Sequence, residues 1–414
     1  MDLDRANKSE TLNLLLLPAP PSSSSLADFR AAYAPALTEI LKQLSARSIS
    51  PTPPSLDIAL WWDDEGLRAG WPRSSLYQAA QQAVATIYKL LCSICAESHI
   101  GEQYKNDVDF RVVLTYDRPG DRDENRPDSS PTSWQGPFVP LQEIAWSARH
   151  WENVFAPDGE NSERFLQDFI KLRRNLPLTK QSLFSFKVHR MRGGTSVRVL
   201  NERGTDQNNP PGKRHLSVAV GGTFDHLHAG HKLLLTATCL VIEPILDASS
   251  PSERTLTIGI TGDELLKNKK YAESLESWDV RQNSVYNFLS AVLNFRDTGS
   301  IKVERTSEPG PNGNMVIYEL DGGLKIRCVE ISDPFGPTIT DKTISALVIS
   351  GETRAGGKAV NDRRVEKGWD ALEIFEVEVL DSGMEEVEGG QAAGNFQSKI
   401  SSTEIRKRLQ EESG

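Results

Sequence analysis

The sequence predicts an α/β protein of two domains, the second built on a doubly wound, mostly parallel sheet. Three observations carry this expectation. At 414 residues the chain exceeds one ordinary domain and fits two of about 200 residues each. A segment almost devoid of apolar residues, NERGTDQNNPPGKR (Asn201–Arg214), divides it. On both sides of that segment, apolar runs of strand length alternate with helical patterns. The expected division is an N-terminal α/β domain over 1–200, a linker over 201–213 and a second domain over 214–414.

In the first half the apolar run Leu12–Leu17 reads as a buried strand. Acidic residues precede it and no small-residue cleavage signature follows, so it reads neither as a secretory signal nor as a transit peptide. After PAPPSSSS comes a helical stretch, Leu26–Ala46, interrupted by Pro35. SLDIALWW is a short strand, Ser74–His99 a long helix, and DFRVVLTY another strand. Residues 117–136 read as an exposed loop. LFSFKVHRMRGGTSVRVL reads as two strands joined at Gly193-Gly194. No chemical motif precedes the linker.

The second half restarts with a strand, His215–Val220, followed by GGTFDHLHAGH and the helical HKLLLTATCLVI. Further strands are expected in TLTIGIT, KIRCVEI, SALVISG and LEIFEVEVL, with helices near Asp279–Leu293 and Asn361–Gly368. Open sheets of this kind place ligands at the C-terminal ends of their strands, where GGTFDHLHAGH falls.

Composition narrows the function classes. The net charge of −10 argues against general affinity for nucleic acid or an anionic membrane face, and no run approaches the ~20 apolar residues of a spanning helix. Four cysteines give no disulfide framework, which suits a cytoplasmic location. Cys92 and Cys95 form C-x-x-C inside an apolar helical stretch, where burial is the expected role.

Four of the seven histidines, His215, His226, His228 and His231, cluster around the glycine-rich turn. His228 and His231 are three apart at a helix start and project from one face of its first turn. Free N–H groups and the positive end of the helix dipole lie at the same place and favour bound phosphate. Two imidazole donors aimed at one phosphorus centre suit phosphoryl or nucleotidyl transfer, in which positioning and charge stabilisation dominate. Two histidines are too few for a structural zinc site, and no metal site is expected. Gly351–Lys358 imitates a P-loop, but its lysine falls one residue late and no Ser or Thr follows. A kinase site is therefore not expected, and the chain reads as monofunctional.

GGTFDHLHAGH resembles the signature of the nucleotidyltransferase superfamily with an H-x-G-H motif, and in particular the eukaryotic and archaeal type of phosphopantetheine adenylyltransferase. TIGITGDELLKNKKYAE, LVISGETRAGGKAVNDRR and KISSTEIRKRL resemble three further segments of that family, in order, between Val218 and Leu409. The second of these carries Gly351 between Ser350 and Glu352.

The resemblance implies a Rossmann-like domain that transfers the adenylyl group of ATP to 4′-phosphopantetheine, giving dephospho-coenzyme A and diphosphate. It implies that His228 and His231 stabilise the α-phosphate and that Thr223 touches the attacking phosphate. Lys267, Lys269 and Lys270 supply cations for the phosphates, Lys269 or Lys270 being favoured by loop position. Gly221, Gly222, Phe224, Arg354 and Asn361 fall to ATP, with Lys358, Arg363 and Arg364 as weaker candidates. Ser401, Ser402 and Thr403, before a helix, hold the β- and γ-phosphates. Mg2+ accompanies ATP, and other coenzyme A synthesis enzymes are candidate partners. The rival readings are a cytidylyltransferase-like enzyme and a non-catalytic nucleotide-binding scaffold. Confinement of every motif to one side of the linker predicts that residues 214–414 fold and act alone.

Overall fold

A computed structural model describes residues 11–46, 52–100, 107–117, 136–175, 185–195, 212–244, 253–295, 301–308, 312–320, 323–380 and 401–413. Within 201–213, residues 201–211 lie outside the described residues, as does most of 117–136.

The first half runs β1 (Leu12–Leu17), α1 (Leu26–Ala46), β2 (Ser55–Trp61), α2 (Glu65–Arg68), α3 (Arg73–Glu97), β3 (Asp109–Tyr116), β4 (Phe138–Pro140), α4 (Leu141–Ala145), β5 (Trp151–Pro157), α5 (Glu160–Arg174) and β6 (Lys187–Met191). Its six strands form one sheet in the order β4-β3-β2-β1-β5-β6, and every pairing is parallel. β1 and β2 are apolar almost throughout because both faces of such a sheet are covered, and Leu14–Leu17 are wholly buried.

The second half runs β7 (Ser217–Gly222), α6 (Ala229–Val241), β8 (Arg254–Thr261), α7 (Trp278–Leu293), β9 (Lys302–Ser307), β10 (Asn314–Leu320), β11 (Leu324–Ile331), β12 (Ala346–Ser350), α8 (Arg354–Glu366), β13 (Glu373–Val377) and α9 (Ser402–Ser413). Its seven strands lie in the order β13-β12-β7-β8-β11-β10-β9. β13, β12, β7, β8 and β11 pair in parallel, whereas β9 and β10 run antiparallel at one edge. The sheet is therefore mixed. β7 has β8, the next strand, on one side and β12 on the other, so the strand order reverses at β7.

One expectation lies partly outside the described residues and another strand was not expected at all. The strand read after Gly193-Gly194 falls on residues 196–200, outside the described residues; β6 itself pairs in parallel with β5, and Thr195 N–H donates to Ala31 O at 3.1 Å. The chain beyond β6 turns onto α1. The antiparallel pair β9–β10 carries no expected strand, because β9 is a polar, mostly exposed edge strand.

The two sheets are not separate bodies. α3 packs along α6, and one continuous cluster of buried apolar residues contains Val84, Ile87 and Leu91 of α3 together with Leu233, Ala237 and Leu240 of α6. Polar links cross the same boundary. Arg73 N–H donates to Glu243 Oε1 at 2.6 Å, and Arg214 donates to Gly70 O at 2.7 Å. Tyr77 O–H donates to Glu376 O at 3.1 Å, its ring 4.9 Å from that of Phe375. Residues 214–414 thus share their core with the first half.

Candidate active site

β7 ends at Gly222, and the next six residues turn the chain into α6. The turn is strained: Phe224 and His226, neither a glycine, have φ of 52° and 45°, in the sparsely populated left-handed region. Several groups hold it there. Arg281, fully buried on α7, donates to Thr223 O at 2.7 Å, to Glu276 O at 3.0 Å and to Asp263 Oδ1 at 2.6 Å. Glu276 accepts from His226 N–H at 2.8 Å, and His226 Nε2 meets Ser274 O at 2.7 Å.

The turn delivers His228 to the N-cap of α6 and His231 to its first turn. Their rings stack, centroids 3.8 Å apart and planes 20° from parallel. The Nδ1 atoms of both are buried without a hydrogen-bond partner among the described residues. Burial pushes the His231 pKa down to about 4, against the pull of Asp225. Burial, with His231 and Lys232 adding to it, holds His228 well below the ordinary imidazole range. Both rings are therefore neutral at pH 7, and each offers one N–H at a helix N-terminus, where backbone donors and the dipole favour an anion.

Asp225, wholly buried between the histidines and the strand, ties a distant segment to the site. It accepts from Arg406 of α9 at 2.5 Å and from Glu276 N–H at 3.0 Å. Arg406 also donates to Lys270 O at 3.1 Å, and Ser402 Oγ–H donates to Asp225 O at 2.8 Å. The start of α9, with Ser401, Ser402 and Thr403, is thereby fastened to the histidine turn. Neither Asp225, Arg406 nor Arg281 was expected as a site residue. The D in GGTFDHLHAGH and the R in KISSTEIRKRL were the visible signals.

The other expected residues divide. Gly221, Gly222 and Thr223 line the strand end, with Gly222 O accepting from Thr261 Oγ1 at 3.2 Å. The Phe224 ring is fully buried, 5.4 Å from that of His231, so its side chain backs the histidine. A Cβ on Gly222 would lie 3.0 Å from that ring, so the strand end is closed to larger side chains. Lys269 and Lys270 form no salt bridge among the described residues and flank the backbone bonded to Arg406, whereas Lys267 is paired with Glu264. Arg354 starts α8, directly beyond β12, and its guanidinium is engaged by Glu376.

Asn361 has a task of its own. Its amide donates to Leu372 O at 3.0 Å and accepts from Leu372 N–H at 2.8 Å, which pins the start of β13 and commits both ends of the side chain. Arg364, a weaker candidate, is buried among backbone carbonyls, including Thr338 O at 2.6 Å and Asp370 O at 2.9 Å. Lys358 and Arg363 pair on the surface with Asp362 and Glu366. Among the described residues no cluster of three or more His, Cys, Asp or Glu is placed to hold a metal ion, and no helix is long and apolar enough to cross a membrane.

A stacked histidine pair thus sits at a helix N-terminus where the strand order of the second sheet reverses, a place that favours a bound anion. The chain is 30% identical to a phosphopantetheine adenylyltransferase of Thermococcus gammatolerans over 41% of its own length and 82% of that protein's, and it belongs to the phosphopantetheine adenylyltransferase family. It is 34% identical to the Saccharomyces cerevisiae protein of that name over 46% of this chain and 48% of that one. It is 36% identical to an uncharacterised Schizosaccharomyces pombe protein over 49% of this chain and 52% of that one. The matches to these two span about half the length of each. Residues 2–197 match a family described as Domain of unknown function (DUF8446).

Proposed function

We propose that this chain is a pantetheine-phosphate adenylyltransferase, transferring the adenylyl group of ATP to 4′-phosphopantetheine. A phosphate oxygen of the acceptor forms a bond to the α-phosphorus, and the bond from that phosphorus to the bridging oxygen breaks. Diphosphate leaves with the bonding pair. The observation that carries the reading is the stacked pair His228–His231 at the N-terminus of α6, with the start of α9 fastened beside it through Asp225.

Neutral imidazoles suit this task. Each N–H hydrogen-bonds a non-bridging oxygen whose charge grows in the transition state, and no proton has to be lost from the ring first. Their low basicity also keeps them from being protonated at rest. The Ser402 and Thr403 end of α9 offers hydroxyl and backbone N–H donors for the departing diphosphate. Lys269 and Lys270 offer cations without carboxylate partners among the described residues. In this reading magnesium arrives on the ATP phosphates, because the nearest carboxylate, Asp225, is already saturated by Arg406.

Family membership supports nucleotidyl transfer in coenzyme A synthesis. The particular substrates are tested by measuring diphosphate release from purified full chain with ATP, CTP and GTP, each against 4′-phosphopantetheine, phosphocholine and nicotinamide mononucleotide. Release confined to ATP with 4′-phosphopantetheine is expected. Preference for CTP, or for another acceptor, would replace this reading with that of a different nucleotidyltransferase. No release from any combination would favour a binding protein.

A further inference from the structure

A cavity of about 530 Å³ opens in the first half of the chain, outside the site described above. It lies at the C-terminal ends of β1, β2, β3 and β5. β1 is the strand at which the order of the six-stranded parallel sheet reverses, with β2, β3 and β4 following on one side and β5 and β6 on the other. Open parallel sheets bind ligands at this crevice, and the volume is that of a small-molecule site.

The walls are built and specific. Trp61 meets Phe165 edge to face at 5.1 Å, and Tyr33 is fixed by donating to Pro18 O at 2.8 Å. Tyr116 and Trp62 complete an aromatic lining. The turn after β6 closes one side: a Cβ on Gly194 would lie 2.0 Å from Ala31 O, so only glycine lets the chain lie this close to α1.

Charge decides the ligand class. Asp158, Glu160 and Asp168 line the cavity and form no salt bridge among the described residues, while Asp63 is already paired with Arg68 at 2.7 Å. Arg164 lies on the same helix, one turn from both Glu160 and Asp168. The usual phosphate cradle is missing from the loop after β1. Pro18, Pro20 and Pro21 have no N–H to offer, and no glycine-rich turn precedes α1. The N-terminus of α5 does favour an anion, but Asp158 just before it and Glu160 in its first turn already bring negative charge there. A phosphorylated ligand would meet carboxylates where it needs donors.

We infer that this cavity binds a small organic ammonium compound, its apolar or aromatic body against Trp61, Tyr116 and Phe165 and its charge toward Asp158 and Asp168. Cation attraction to aromatic faces and to carboxylates acts together here.

The test uses three probes of one shape and different charge: tyramine, the neutral alcohol tyrosol and the anion 3-(4-hydroxyphenyl)propionate. Each is titrated calorimetrically into the full chain. Tyramine is expected to bind at least about ten-fold more tightly than tyrosol, with no binding of the anion at millimolar concentration. Salt should weaken tyramine more than tyrosol. Asp158→Asn and Asp168→Asn, made separately and checked for unchanged unfolding midpoints, should each lower tyramine affinity several-fold and leave diphosphate release unaltered. Equal or tighter binding of the anion, equal affinities for tyramine and tyrosol, or no binding of any probe at millimolar concentration would overturn the inference. Loss of diphosphate release alone would bear on the adenylyltransferase reading and not on this one.

Discussion

Asp109, at the start of β3 in the first sheet, is ion-paired with Lys232, the residue that follows His231 on α6. The pair joins the anonymous half of the chain to the helix that carries the histidines. Arg111 holds the other side of Asp109 at 2.8 Å, and Lys232 also lies over the Phe110 ring at 5.5 Å. Burial raises the Asp109 pKa, but Lys232 and Arg111 outweigh it and hold the carboxyl at about 2. Asp109→Asn should therefore cost roughly 1–3 kcal/mol, less than a fully buried pair because both side chains keep some exposure. The pair's contribution is present above the unfolded pKa near 3.8 and is lost as pH falls through about 2. Urea unfolding at pH 7 and pH 2.5 checks this: the variant's deficit should shrink at the lower pH.

The shared core makes a second prediction. Residues 214–414 expressed alone would expose the faces of α6 and β13 that α3 now covers. That fragment should aggregate, or melt well below the full chain, and co-expression with residues 1–200 should restore it. A soluble monomeric fragment with the full chain's melting temperature and diphosphate release would show that the contact is dispensable.

Arg406→Gln removes the guanidinium that pairs at 2.5 Å with the wholly buried Asp225. The expected cost is about 3–5 kcal/mol, the usual penalty for stranding a buried charge. The double variant Asp225→Asn/Arg406→Gln should recover part of it. Because the same contact fastens α9, the KM for ATP should rise more than the KM for the acceptor in both. Equal changes for the two substrates would detach α9 from the ATP side.

The histidine pair makes stability depend on pH with a definite sign. Unfolded, both rings titrate near 6.5; folded, His231 titrates near 4 and His228 well below its ordinary value. Between these limits the unfolded chain binds more protons, so stability falls as pH drops from 6.5 to 4. His228→Gln/His231→Gln should flatten that slope in chemical denaturation measured across the window. An unchanged slope would mean that other groups govern acid sensitivity there.

Much of the fold is legible in local sequence because local physics sets it. Leu12–Leu17, Leu26–Ala46 and Asp109–Tyr116 are sharply bounded apolar or helical runs between Pro, Ser and charged breaks, and they begin and end in the structure where those breaks fall. β9, KVERTS, gives no such signal because an exposed edge strand needs no apolar face. The histidine turn is legible from spacing, yet its support is not. Asp225 and Arg406 stand 181 residues apart in the chain, and nothing local to either announces the other. Phe224 shows the same limit: a left-handed φ turns its ring into the core, and a sequence motif does not reveal which way a side chain faces. Asn361 sits in a family-like motif, but its two bonds to the backbone of Leu372, on the far side of a turn, are set by the fold.

The central claim, that stacked His228 and His231 stabilise charge at the α-phosphate, is tested most directly by His231→Ala in the full chain. Single-turnover and steady-state rates of diphosphate release would be measured with ATP and 4′-phosphopantetheine, alongside ATP affinity. Removing one such donor should lower kcat by about 10²–10³, or roughly 3–4 kcal/mol of transition-state stabilisation, with ATP affinity changed far less because the contact strengthens only as charge develops. A folded His231→Ala protein that turns over at the wild-type rate would contradict the account.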